Sequence, residues 1–228
     1  MTGATTQADV DDLVVLFDVD DTLLDNDRVE QDVRAELARQ FGAEARDRYW
    51  NILEDLREEL DYVDYLGALE RYRLERLHDP RVLGLSLWLV DYPFAERLYP
   101  DALQVLRHVQ RGARAVILSD GDAVFQPRKI ARSGLWEAVE GQVLIYVHKE
   151  HTLADVERHY PARRYVVVED KPRILAAMKE AWGDRVTTVF VRQGHYANDP
   201  ERVARYPAPD FTIERIGELL REDLSRFS

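Results

Sequence analysis

Hydrophobic and polar positions change period along the chain, and each change marks an element. Leu13 to Phe17 (LVVLF) is an unbroken apolar run, the pattern of a strand buried on both faces. From Arg28 to about Leu77 the period turns helical. Val29, Val33, Leu37 and Phe41 recur at i+4 and lead into Gly42, a candidate C-cap. Trp50, Leu53, Leu56 and Leu60 predict a second amphipathic face, and Tyr62, Tyr65, Leu66, Leu69 and Tyr72 a third. Leu83 to Val90 predicts a shorter helix before Pro93. No segment of this block alternates as a strand would.

Beyond Pro100 strands and helices alternate. Asp101 reads as the N-cap of a helix running to Arg111, with Gly112 just past its end. Ala113 to Leu118 is a second buried strand, and Pro127 the expected first residue of a helix that stops at Ser133-Gly134. Strands follow at Val143 to Val147, Tyr165 to Val168 and Val186 to Val191. Helices lie between them at Thr152 to His159 and Pro172 to Trp182, and a last helix is expected from Ile213 to Leu224. This alternation implies an α/β fold with a Rossmann-like, doubly wound parallel sheet. Residues 12–25 and 99–228 would form that core, 26–98 an inserted all-helical domain, and the small, polar residues 1–11 a flexible tail.

Charge narrows the partners. The chain has 228 residues and a net charge of -12, which disfavours non-specific attraction to nucleic acid or an anionic membrane. Without cysteine there is neither disulfide nor thiol chemistry. No run approaches the ~20 apolar residues of a membrane span, and the first residues lack the basic and apolar regions of a signal peptide. A cytoplasmic protein is the expectation.

The candidate chemistry sits where strands end. After Phe17 come Asp18, Asp20, Asp21 and Asp25, and clustered carboxylates at a buried strand end raise one another's pKa unless a cation is present. Oxygen-only ligands favour a hard divalent ion, Mg2+ being the natural choice. Ser119, Asp120 and Gly121 follow the second strand, Lys149 the third, and Glu169 and Asp170 the fourth. Parallel strands bring such ends to one edge of the sheet, where ligands bind.

The segment Phe17-Asp18-Val19-Asp20-Asp21-Thr22-Leu23 resembles motif I, D-x-D-x-[TV]-L, of the haloacid dehalogenase superfamily. The Ser119, Lys149 and Glu169-Asp170 clusters resemble its later motifs in order. The resemblance implies a Mg2+-dependent phosphatase of small phosphorylated metabolites with a type-one helical cap. By that resemblance Asp18 is the nucleophile and Asp20 the general acid and base. Ser119, with Asp120 and Gly121, holds phosphate, and Lys149 neutralises it. Asp18, Asp170 and the carbonyl of Asp20 ligate the metal, and Glu169 acts through a metal-bound water. Lys129 and Lys171 compete with Lys149 for the motif III role, and Ser119 could instead cap the following helix. Lys149 lacks the Lys-Pro often seen there, and Lys171-Pro172-Arg173 replaces the usual continuation after the acidic pair.

Several neighbouring activities separate on single residues. Members acting as haloacid dehalogenases lack an acid at the Asp20 position and need no metal. Phosphonate cleavage needs a cap lysine, and residues 26–98 contain none. A phosphomutase or phosphotransferase would keep the same residues, as would a non-catalytic binding or regulatory protein on a retired scaffold, although such a protein has no chemical reason to retain all of them. His148 and His151 read as flanking a helix start, and the aromatics Trp50, Tyr62, Tyr65, Tyr72 and Trp88 as bundle core, with Tyr62 and Tyr65 the first candidates for substrate contact.

Overall fold

The structure, a computed structural model, describes residues 11–60, 62–223 and 226. Six parallel strands form one sheet: β1 (Asp11–Phe17), β2 (Arg114–Asp120), β3 (Val143–Tyr146), β4 (Ala162–Glu169), β5 (Val186–Val191) and β6 (Phe211–Ile213). Their order is β3-β2-β1-β4-β5-β6. β1 is central, pairing Val14 with Arg114 on one side and Val15 with Val166 on the other. Its apolar run is explained by this place. Val15 and Phe17 enter the core on one face of the sheet and Val14 and Leu16 the core on the other, so every position is buried. The chain builds outward from β1 in both directions, which places a crevice at the carboxyl ends of β1, β2 and β4.

After β1 comes a block of four α-helices, α1 (Asn26–Phe41), α2 (Ala43–Leu60), α3 (Tyr65–Leu74) and α4 (Arg81–Val90). Val29, Leu53, Tyr65 and Leu85 of this block share one apolar cluster with Phe17, Ile117 and Phe125 of the sheet layer. Phe17-Asp18 continues the ladder as Asp18 N donates to Val168 O at 3.0 Å, and the chain then turns sharply, with the amides of Leu23 and Leu24 donating to Val19 O. Asp25 caps α1 by accepting from Arg28 N, and Asp64 caps α3 by accepting from Gly67 N. The remaining helices are α5 (Ala102–Val109), α6 (Phe125–Arg132), α7 (Leu135–Ala138), α8 (Leu153–His159), α9 (Pro172–Trp182), α10 (Gly194–Ala197) and α11 (Pro200–Val203). Among the described residues no helix is long and apolar enough to cross a membrane.

Several expectations are corrected. Asp101 precedes α5 but sits in the left-handed region (φ 68°) and makes no side-chain cap bond; α5 ends at Val109 and a turn carries the chain on to Gly112. Pro127 is the third residue of α6, which starts earlier because Asp122 Oδ1 accepts from Val124 N and Phe125 N at 2.8 and 2.7 Å. The helix expected from Ile213 is instead the end of β6 followed by a 3-10 helix, Ile216–Arg221. Leu224 lies outside the described residues. Asp11, assigned to the tail, opens β1 and donates its amide to Pro161 O; residues 1–10 lie outside the described residues. Tyr62 precedes α3 rather than belonging to it.

Candidate active site

All the singled-out strand ends meet at one edge of the sheet. Asp18 is 4 % exposed, Lys149 1 % and Glu169 and Asp170 fully buried. The Lys149 ammonium donates to Asp18 Oδ1, lies 2.7 Å from Glu169 Oε2 and donates to Leu118 O at 3.2 Å. Of the three candidate lysines it is the one bonded to Asp18. Its main chain is fixed too, because Asp120 Oδ1 accepts from Lys149 N at 2.7 Å. Carboxylate oxygens of Asp18, Glu169 and Asp170 lie within 4.8 Å of one another. Asp18 Oδ2 and both oxygens of Asp170 are buried without a protein hydrogen-bond partner.

This is an expensive arrangement for protein alone. Burial, with Glu169 adding to it, pushes the Asp18 carboxyl up to about 7 despite Lys149. Burial also holds Asp170 well above the carboxylate range. For Glu169 burial is outweighed by Lys149 and Lys171, and its carboxyl falls below its ordinary value. Lys149 is held above its usual range by Asp18 and Glu169, against the effect of burial. Three buried acids of which two resist ionisation form a hard, oxygen-only donor set that a divalent cation would satisfy.

Asp20 is placed apart from that cluster. Lys129 Nζ, on a side chain 2 % exposed, donates to Asp20 Oδ1 at 2.6 Å and to Asn26 Oδ1 at 3.1 Å. Gln126 Nε2 donates to Asp20 Oδ2 at 3.2 Å and to Ser119 Oγ at 2.9 Å. Ser119 therefore does not cap α6, whose opening amides of Val124 and Phe125 donate to Asp122 Oδ1. Gly121 is required by close approach, since a Cβ there would stand 2.7 Å from Gln126 Cβ. Asp21 shapes the turn into α1, its Oδ1 accepting from Asn26 N at 2.9 Å, and burial pushes its carboxyl up to about 8. The clamp of Gln126 and Lys129 on Asp20 escaped the sequence reading. Its signal was two polar residues three apart on the inward face of α6.

A cavity of about 490 Å³ opens beside these groups. Tyr62 and Val63, from the segment joining α2 and α3, and Tyr65, the first residue of α3, line it together with Asp20, Gly121 and Lys129. Tyr65 is only 2 % exposed and packs against Phe125 with ring centroids 5.2 Å apart, whereas Tyr62 is half-buried at the wall. Trp50 and Tyr72 are buried in the helical core as expected. The rings of His148 and His151 lie 5.7 Å apart beside the 3-10 turn Lys149–His151.

Comparison with known proteins agrees with this geometry. The sequence profile of haloacid dehalogenase-like hydrolases matches residues 13–191. A crystal structure named for a haloacid dehalogenase-like hydrolase from Burkholderia xenovorans LB400 is 62 % identical, with a TM-score of 0.88, over 93 % of this chain and 99 % of that one. The L-2-haloacid dehalogenase from Xanthobacter autotrophicus, with chloropropionic acid covalently bound, is 21 % identical (TM-score 0.59; 93 % and 98 % covered). A Bacillus subtilis hydrolase of the same superfamily, bound to magnesium, is 17 % identical (TM-score 0.61; 92 % and 97 % covered). These last two share the fold. A search among curated proteins gave no match. With the family profile spanning β1 to β5 and the motif residues gathered at one sheet edge, the chain belongs to the haloacid dehalogenase-like hydrolases.

Proposed function

We propose that the protein is a Mg2+-dependent phosphatase of small phosphorylated metabolites, with residues 26–98 acting as a type-one cap over the site. The observation that carries this reading is the buried cluster of Asp18, Glu169 and Asp170, with Asp18 Oδ2 and both Asp170 oxygens lacking protein partners, together with a second acid, Asp20, two residues after Asp18. An acid two residues after the nucleophile is what a leaving alkoxide needs and what a dehalogenase does without.

In this mechanism Asp18 attacks phosphorus. Lys149 takes one lone pair of Oδ1 and no protein group takes Oδ2, which leaves the carboxylate able both to attack and to ligate. The new bond is Asp18 O–P and the broken one is the ester P–O, with Asp20 giving its proton to the departing oxygen. Asp20 then takes a proton from water as the water oxygen bonds phosphorus and frees Asp18. Lys149 and Ser119 stand beside the phosphoryl position, the lysine countering its charge. Asp18, Asp170 and the Asp20 carbonyl would hold Mg2+, with Glu169 beside them. The ion, when bound, supplies charge neutralisation for the phosphoryl group and the attacking carboxylate.

Chelation is expected to abolish hydrolysis of an aryl phosphate, with Mg2+ restoring it. It is also expected to lower the melting temperature, since a ligand at 100-fold its Kd stabilises by about 2.7 kcal/mol. An Asp170→Asn variant should melt at the same temperature with and without Mg2+. Full activity in excess chelator would sink the proposal.

Lys129 is expected to act by placing Asp20. Lys129→Met should slow esters with poor leaving groups by roughly 10- to 100-fold, within the range of general acid–base effects, and aryl esters far less. Equal losses on both would show that Lys129 serves folding alone.

A further inference from the structure

Part of the cavity lining differs in character from the acidic strand ends. Tyr196 of α10 is surrounded there by cations from three separate elements. The Arg57 guanidinium of α2 donates to Tyr196 OH at 2.7 Å, with its carbon 5.8 Å from the ring centroid. Lys171 Nζ is 5.4 Å from that centroid and the guanidinium carbon of Arg202, in α11, 4.7 Å. Such contacts attract each cation to the ring by only about 0.5–1 kcal/mol at exposed sites, while three like charges around one side chain repel. Their acidic neighbours compensate partially: Glu54 lies 3.5 Å from Arg57, which Glu30 also faces, and Asp199 lies 3.7 Å from Arg202. Lys171 shares its carboxylates with Lys149. In a chain of net charge -12, this convergence on one side chain is local.

Building on the phosphatase reading, we propose that the substrate's leaving group carries a second anionic group, a carboxylate or a second phosphoryl, bound among Arg57, Lys171 and Arg202 around Tyr196. With the phosphoryl end at Asp18, Lys171 stands between the catalytic acids and Tyr196, and Arg57 and Arg202 extend the cationic lining beyond it, so the site selects a metabolite charged at both ends. Arg57 belongs to the helical block and Arg202 to the sheet layer, so an anion between them also ties the two together. Charge-assisted bonds of this kind discriminate between charged and neutral analogues, because only the anion offsets the mutual repulsion of the three cations.

The test is equilibrium binding by calorimetry to the full chain with Mg2+, using three non-hydrolysable probes: propylphosphonate, 2-carboxyethylphosphonate and propane-1,3-bisphosphonate. At least one doubly charged probe is expected to bind 10-fold or more tighter than propylphosphonate, ~1.4 kcal/mol, and which one identifies the anion. Arg202→Gln should reduce that preference several-fold, and the Arg57→Gln/Arg202→Gln double variant should bring it to about one. Arg202 is half-exposed, so its single variant carries the test even if the double variant misfolds. Equal binding of all three probes by the parent, or a preference that survives Arg202→Gln undiminished, overturns the subsite. Turnover of phosphoglycolate and ethyl phosphate, measured in parallel, reads the phosphatase proposal separately. Anion preference without turnover would sink the phosphatase reading and leave the subsite standing; no binding of any probe sinks both.

Discussion

Asp18→Asn is expected to eliminate turnover, by at least ~10,000-fold, because an amide oxygen cannot make and release the covalent phosphoryl bond that the carboxylate makes. The corresponding Asp20→Asn variant is expected to lose roughly 100- to 10,000-fold, and in a different step. With a good leaving group the attack by Asp18 needs no proton donor, so phosphoenzyme forms, but water is no longer deprotonated and breakdown stalls. Rapid acid quench with a labelled aryl phosphate should find phosphoprotein in Asp20→Asn and none in Asp18→Asn. The opposite pattern would show that the two roles are exchanged. Melting curves separate these effects from folding. Each variant takes a carboxylate from a buried ammonium, Asp18→Asn from Lys149 and Asp20→Asn from Lys129, which keeps Asn26 Oδ1 as an acceptor.

Lys149→Met is expected to be the most damaging substitution for stability in the catalytic edge. The ammonium is 1 % exposed and touches Asp18, Glu169 and the carbonyl of Leu118. Removing one partner of a buried ionic group strands the others, at a cost of about 3–5 kcal/mol. Methionine matches the length of the stem, so the loss is one of charge rather than volume. Denaturant midpoints should fall accordingly. Saturating Mg2+ should recover part of the stability and little of the activity, since the phosphoryl group still lacks its cation. A variant within 1 kcal/mol of the parent would mean that the acids simply take up protons and that the lysine is dispensable to the fold.

Much of this protein is legible from its residues in one dimension. The run Leu13 to Phe17 has the pattern of a doubly buried strand, and it is the middle of the sheet. The i+4 aromatics and leucines of residues 28–77 could only be helices, and the four strand-end clusters had to converge once the strands were parallel. Local signals misled where a tertiary contact outweighed them. Asp101 has a cap residue's chemistry, yet its carboxylate is drawn against Gly217. Pro127 tolerates the first position of a helix, but the Asp122 carboxylate starts α6 earlier. The three-residue β6 is too short to show a period and exists because β5 offers an edge, with Val191 paired to Ile213.

The site divides in the same way. Which acids, serine and lysine stand at strand ends follows from sequence, because strand ends are local events. Which lysine meets Asp18 does not, since Lys129, Lys149 and Lys171 are equal in charge and differ only in where the chain returns. Lys149 reaches Asp18 because Asp120 holds its amide, and Lys129 goes to Asp20 because α6 turns its buried face toward α1. The cations around Tyr196 come from α2, α11 and the start of α9, far apart in sequence and without a shared period. Periodicity therefore determined the elements and their order, while the pairing of charges, which depends on distances of a few ångströms between remote segments, was decided only by the packed fold.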